Sequence, residues 1–263
     1  VPTQLQEGSE DARTVHFHMK NNVEIYGGFA GNEDPATFDL ADRDFAANET
    51  VLSGDIQQDD VAGNAASMAD NAYHVFYHAD NPFTGNLDET AVLDGVTISG
   101  GNANDPDYHS HGGGMFNDNN HPTVRNVTFK NNRAATYGGA VFHYLSNARF
   151  YNVRMVDNVS DIGGALYSQY GESELINLDV RGNTATGFGG GMYMRDDHST
   201  LAGTLVSGNY SPRVGGIYIE SSDLTLVNLT ISGNKSDLNT GGIFFAGEAS
   251  ESVTLYNSIV CGN

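Results

Sequence analysis

At 263 residues the chain is long enough for one large domain or two ordinary ones, and its 39% hydrophobic content, without a single Trp, implies a core assembled from many small contributions. Twelve Lys and Arg against 33 Asp and Glu give a formal charge of -21, which makes nucleic acid and anionic membrane poor partners. Cys261 is the one cysteine, so there is neither an intrachain disulfide nor a zinc pattern, and no run of about 18 apolar residues is present to span a membrane.

In chain order, the first hundred residues are irregular. Strand-like stretches at 23–26, 51–52, 74–77 and 92–98 read as early rungs of a coil interrupted by loops. Residues 35–48 read as a short helix over the side or the top, covering exposed strand edges. A polar loop insert follows at 101–111. Within it Asp105, Asp107, His109 and His111 alternate, so in an extended loop they share a face and are placed to ligate a cation. The carboxylates favour Ca²⁺ and the imidazoles a transition metal, and the simpler reading is a solvated loop.

From residue 112 a repeat takes over. Gly112-Gly113-Gly114-Met115-Phe116 returns as Gly138-Gly139-Ala140-Val141-Phe142 and Gly163-Gly164-Ala165-Leu166-Tyr167, and then in versions that carry Tyr193, Tyr218 and Phe244. The aromatics fall at 116, 142, 167, 193, 218 and 244, a period of 25 or 26 residues. A second motif, out of phase, puts alternating apolar residues before Asn132, Asn158, Asn183, Asn209 and Asn234.

Two short β patterns per period, with no helical spacing between them, describe one rung of a right-handed parallel β-helix, an all-β solenoid of roughly nine or ten rungs. A helical repeat of this length fails because the double glycines would sit inside its helices, at about 1 kcal/mol each against Ala. The recurrent Asn residues are structural: Asn tolerates left-handed turns, and identical amides stacked rung on rung hydrogen-bond along the column. The whole of 1–263 is therefore one domain, with irregular rungs and a cap-like segment to residue 100, the insert at 101–111 and regular rungs at 112–263. Both ends read as cut from a longer chain. The last rung implies end-to-end self-contact or continuing rungs of a parent protein.

Alternation within each strand separates two columns. Met115, Val141, Leu166, Met192, Ile217 and Ile243 are uniformly aliphatic and belong inside. Phe116, Phe142, Tyr167, Tyr193, Tyr218 and Phe244 then point outward, on a face shared with Asp118, Tyr144, Gln169, Arg195 and Glu220. Such a strip suits a polysaccharide, rings against sugar faces and polar groups on hydroxyls, with Phe116, Phe142, Tyr167, Tyr193, Tyr218 and Arg195 as the ligand-binding candidates. The competing reading has the rings inside the coil or covered by the insert.

The alternating Gly-Gly-Ala motif and Phe129-Lys130-Asn131-Asn132 resemble the repeats of chlamydial polymorphic outer-membrane proteins. The wider order, Val23-Glu24-Ile25-Tyr26-Gly27-Gly28-Phe29, Thr50-Val51-Leu52-Ser53-Gly54-Asp55, Asn71-Ala72-Tyr73-His74-Val75 and Val92-Leu93-Asp94-Gly95-Val96-Thr97-Ile98, is similar to bacterial extracellular β-helix proteins of the choice-of-anchor Q type. That resemblance covers nearly everything from about residue 20. It implies a secreted or cell-surface location and an adhesin-like role, and it transfers no catalytic motif.

Three functions follow: a non-catalytic extracellular surface that binds a polysaccharide or cell-surface glycan, a polysaccharide lyase or glycoside hydrolase, and a purely structural stalk. As an enzyme, the chain would draw its base from Tyr144, Arg195 or His143, near one strip. Its acidity disfavours polyuronate substrates. A hydrolase needs carboxylates about 5 to 9.5 Å apart, whereas Asp118 and Glu220 are separated by four rungs, roughly 19 Å.

Overall fold

The computed structural model describes residues 1–3, 5–6, 8–81, 85–106, 109–248 and 251–263. From residue 112 to 188 each turn of chain passes through four short segments, and the later turns keep the first three. The turn that starts at Met115–Asp118 continues through Thr123–Arg125, Thr128–Lys130 and Arg133–Ala134 before the next begins at Val141–Tyr144. Segments pair in parallel with their counterparts one turn away, residue for residue: Val141 with Met115 and Leu166, Phe150 with Val124 and Leu175, Met155 with Phe129 and Val180. Among the described residues this stacking builds four walls, here numbered in the order the chain visits them, of seven, eight, eight and four strands. The chain is an all-β parallel solenoid with the period that its sequence carries.

Eight strands rather than nine or ten fill the longest walls because the early chain leaves the coil twice. Between Glu24–Tyr26 and Thr50–Ser53, and again between Thr50–Ser53 and Phe76–His78, it forms inserts. The segment expected as a helix contains a single 3₁₀ turn, Leu40–Asp42, and lies over the side of the coil. Arg43 anchors it: the guanidinium reaches the buried Asp94 carboxylate at 3.0 Å and lies against the rings of Tyr26 and Phe45. Phe45 closes over Gly95, whose φ of 76° and lack of Cβ are both required, since a Cβ there would meet the ring at 2.5 Å. The second insert ends in the 3₁₀ turn Ser67–Asp70.

Inside the coil one continuous apolar core runs through all turns. Met115, Val141, Leu166, Met192 and Ile217 line the first wall, Val124, Phe150, Leu175, Leu201 and Leu226 the second, and Phe129, Met155, Val180, Val206 and Ile231 the third, all fully buried. Each such side chain contributes about 1.5–3 kcal/mol of burial.

The Asn column is a buried amide ladder at the corner between the third and fourth walls. Nδ2 of Asn132, Asn158, Asn183, Asn209 and Asn234 each donates to Oδ1 of the next rung's Asn at 2.8–3.1 Å, and each also donates to a third-wall carbonyl of the preceding rung. The left-handed residue at this corner is the one before each ladder Asn: Asn131, Asp157, Gly182, Gly208 and Gly233 have φ between 56° and 66°. A second, more exposed column at the preceding corner, including Asn126, Asn152, Asn177 and Asn228, is itself left-handed with φ of 54–56°.

Residues 101–111 are only partly a loop, because Asn102–Ala103 pairs with Arg133–Ala134 as the first strand of the fourth wall. At the other end the last rung exposes Leu255, Ile259 and Val260, and the first and last of these line an opening of ≈ 550 Å³.

Candidate functional site

Strand alternation places the aromatic column outside the coil, as its parity requires. Tyr77 joins Phe116, Phe142, Tyr167, Tyr193, Tyr218 and Phe244 in one stack with neighbouring centroids 4.8–5.6 Å apart. Rings at this spacing cover each other's faces. Along one side Tyr137, Ile162 and Phe188 pack against them, so that Phe142, Tyr167 and Tyr193 are 7%, 3% and 8% exposed. The column is an external apolar spine, and a ligand arriving there meets ring edges and hydroxyls, not open faces.

Its polar neighbours are tied down as well. Tyr193 donates its hydroxyl to Glu220, and Tyr167 donates to Gln169 Oε1 at 3.0 Å. Arg195 lies 3.4 Å from Asp196 and 3.7 Å from Glu220. Desolvation pushes the Tyr167 phenol up to about 12, and desolvation with the Glu220 contact pushes Tyr193 higher still, so neither is a base near neutrality.

The three residues expected near one strip do not meet. His143 is 0% exposed and faces inward beside Asn117 and Ser168, edge-on to the Phe150 ring; adjacency to the outward Phe142 dictates that direction. Burial drives its pKa down to about 3, and neither ring nitrogen has a hydrogen-bond partner. Tyr144 and Arg195 share the outer face, but Gln169 pairs between them, a separation of two rungs or roughly 9.6 Å.

In the insert the imidazoles diverge. His109 Nδ1 lies 2.9 Å from His74 Nε2 and its ring stacks on Tyr73, whereas the His111 ring packs on Tyr137 and Phe142. Asp105 donates its backbone N–H to the His109 carbonyl, and Asp107 lies outside the described residues. Aromatic packing on two different rungs separates these donors, and among the described residues the groups with converging ligand atoms do not include them.

A different face is concave. The two inserts flank the outer surface of the third wall and enclose two clefts of ≈ 480 and ≈ 450 Å³. Both are lined by Lys130, Asn131 and Asp157, which makes them one trough. Phe45, Glu49, Asn126, Asn152 and Arg154 complete the first half, and Asp60, Val61, Met68 and Arg133 the second. Phe129 and Met155 face the core, so Thr128, Lys130, Arg154 and Val156 must face the trough.

Lys130 Nζ contacts Glu49 Oε1 at 2.8 Å, and Thr97 Oγ1 donates to the same oxygen at 2.7 Å. These two contacts, Lys130 first, hold the Glu49 carboxyl below its usual range. Arg154 pairs with Asp179 at 3.3 Å. The lining of the trough carries both signs, Lys130, Arg133 and Arg154 against Glu49, Asp55, Asp60 and Asp157.

The family model for a right-handed β-helix region matches residues 115–263. No curated protein and no solved structure matches the chain. The matched segment is more than half of the chain and coincides with the regular rungs that carry the first-wall spine and the amide ladder: the chain belongs to the right-handed β-helix family.

Proposed function

We propose that the chain is a non-catalytic, surface-exposed β-helix module that holds an extended polysaccharide in the trough over its third wall. The observation that carries this reading is the merging of two clefts through Lys130, Asn131 and Asp157 into one trough bounded by the inserts. Amides from Asn126, Asn131 and Asn152, charges of both signs and one ring, Phe45, suit a chain of sugar hydroxyls with an apolar face. Glu49 is paired and held ionised, opposite to the raised pKa that a general acid at a glycosidic bond requires. The extracellular location and the narrower kinship with choice-of-anchor Q proteins belong to the same proposal and rest on the sequence resemblance.

A glycan array followed by titration of the strongest ligand tests it. Lys130→Ala with Arg154→Ala is expected to weaken binding at least tenfold, and Tyr193→Phe to leave it unchanged. Absence of any glycan ligand, or undiminished binding by the double variant, overturns the proposal. New unsaturated ends released from uronate polymers would make the chain a lyase.

A further inference from the structure

Where the second insert rejoins the coil, acidic side chains distant in sequence converge. Asp55 follows the strand Thr50–Ser53, Asp59 lies four residues on, and Asp70 ends the 3₁₀ turn Ser67–Asp70. One carboxylate oxygen from each lies within 4.8 Å of the others, a spacing that fits oxygens around one ion at about 2.3–2.6 Å. Asp60 is adjacent, its N–H donating to Asp55 Oδ2 at 3.2 Å. Among the described residues, no ion pair neutralises any of these four carboxylates.

A second observation concerns oxygens that lack donors. Asn71 is 0% exposed and meets the carboxylates through its amino group: Nδ2 donates to Asp60 Oδ2 at 2.8 Å and to the Gly100 carbonyl at 2.7 Å. Its Oδ1 is buried with no hydrogen-bond partner, and so is Asp70 Oδ2. A buried acceptor left unsatisfied is costly and requires an explanation, of which a bound ion is one. Two such oxygens beside uncompensated carboxylates have one chemistry in common, the coordination of a cation.

We infer that Asp55, Asp59, Asp70 and Asn71 form a calcium site that pins the second insert to the coil. The donors are all oxygen, which selects a hard cation over a transition metal. They come from irregular backbone, which suits the flexible coordination of Ca²⁺ better than the strict octahedron of Mg²⁺. The insert needs such a fastening, because between residues 54 and 71 Met68 is its one buried apolar side chain. The site adjoins the second half of the trough, whose lining includes Asp55 and Asp60, but does not depend on what the trough binds.

The test is calorimetric titration of chelator-stripped, intact protein with CaCl₂ at physiological ionic strength, paired with thermal melts. One saturable site with a Kd between about 10⁻⁴ and 10⁻³ M is expected, with a Tm rise on the order of 5 °C at about 10 mM Ca²⁺ and a smaller one in Mg²⁺. Asp59→Asn, at an exposed position, and Asp70→Asn each weaken binding at least tenfold, whereas Asp42→Asn on the other insert does not. Because Asp59 is exposed, its variant folds even if the Asp70 variant does not. No saturable binding by about 10 mM, or binding by Asp59→Asn equal to that of the parent, overturns the inference and leaves only diffuse counterion attraction to an acidic surface.

Discussion

Replacing Asn183 by Ala probes the amide ladder at its centre. Asn183 Oδ1 accepts from the Asn158 backbone N–H at 2.9 Å and from Asn158 Nδ2 at 3.0 Å, while its own Nδ2 donates to Met155 O at 2.8 Å and Asn209 Oδ1 at 2.9 Å. Truncation leaves the fully buried Asn158 N–H without its acceptor, about 1–3 kcal/mol, and removes two donated bonds of about 1 kcal/mol each, so about 3–5 kcal/mol in all. Asn177 is the matched control. Its φ of 56° is glycine-compatible and its Nδ2 makes a single exposed contact to Asn152, so Asn177→Gly costs less than about 0.5 kcal/mol. Urea denaturation of both variants, read as midpoint times slope, measures the difference. If Asn183→Ala lies within about 1 kcal/mol of Asn177→Gly, the buried ladder is not what holds the corner.

Three further outcomes follow from the same geometry. Tyr193→Ala opens the external spine and costs about 3–5 kcal/mol, whereas Tyr193→Phe keeps the stack and costs under about 1.5 kcal/mol, measured by the same urea denaturation. His74, His78 and His143 are buried with pKa values near 3 against 6.5 in the unfolded chain. The unfolded state therefore binds the extra protons, and stability is full above about pH 6.5 and falls toward pH 3; by pH 5 each His accounts for about 2 kcal/mol, and His143→Leu removes one share of that slope. Gly95→Ala drives a Cβ into Phe45 at a left-handed position, and limited proteolysis should show faster cleavage within residues 27–49.

Much of the fold was legible because the coil repeats itself in phase. The period set the walls, and parity set which face each residue takes, so the aliphatic column and the ladder Asn residues are where their spacing puts them. The same parity, applied one residue further, places His143 inside, next to an outward Phe142. Burial of the spine was less visible because half of its cover comes from Tyr137, Ile162 and Phe188, which sit just before the double glycines and share the 25–26-residue period; reading that third column would have shown it. The trough and the Asp55, Asp59 and Asp70 cluster had no such signal. They depend on how two aperiodic inserts fold back against the third wall, which the spacing of residues along the chain does not encode.

Hydrogen exchange by mass spectrometry, with and without the strongest glycan ligand, tests the central functional claim most directly. Slowed exchange confined to Glu49, Thr128–Lys130 and Arg154–Val156 is the predicted result. Protection centred on Met192–Arg195 and Ile217–Glu220 would place the ligand on the aromatic spine and contradict the trough.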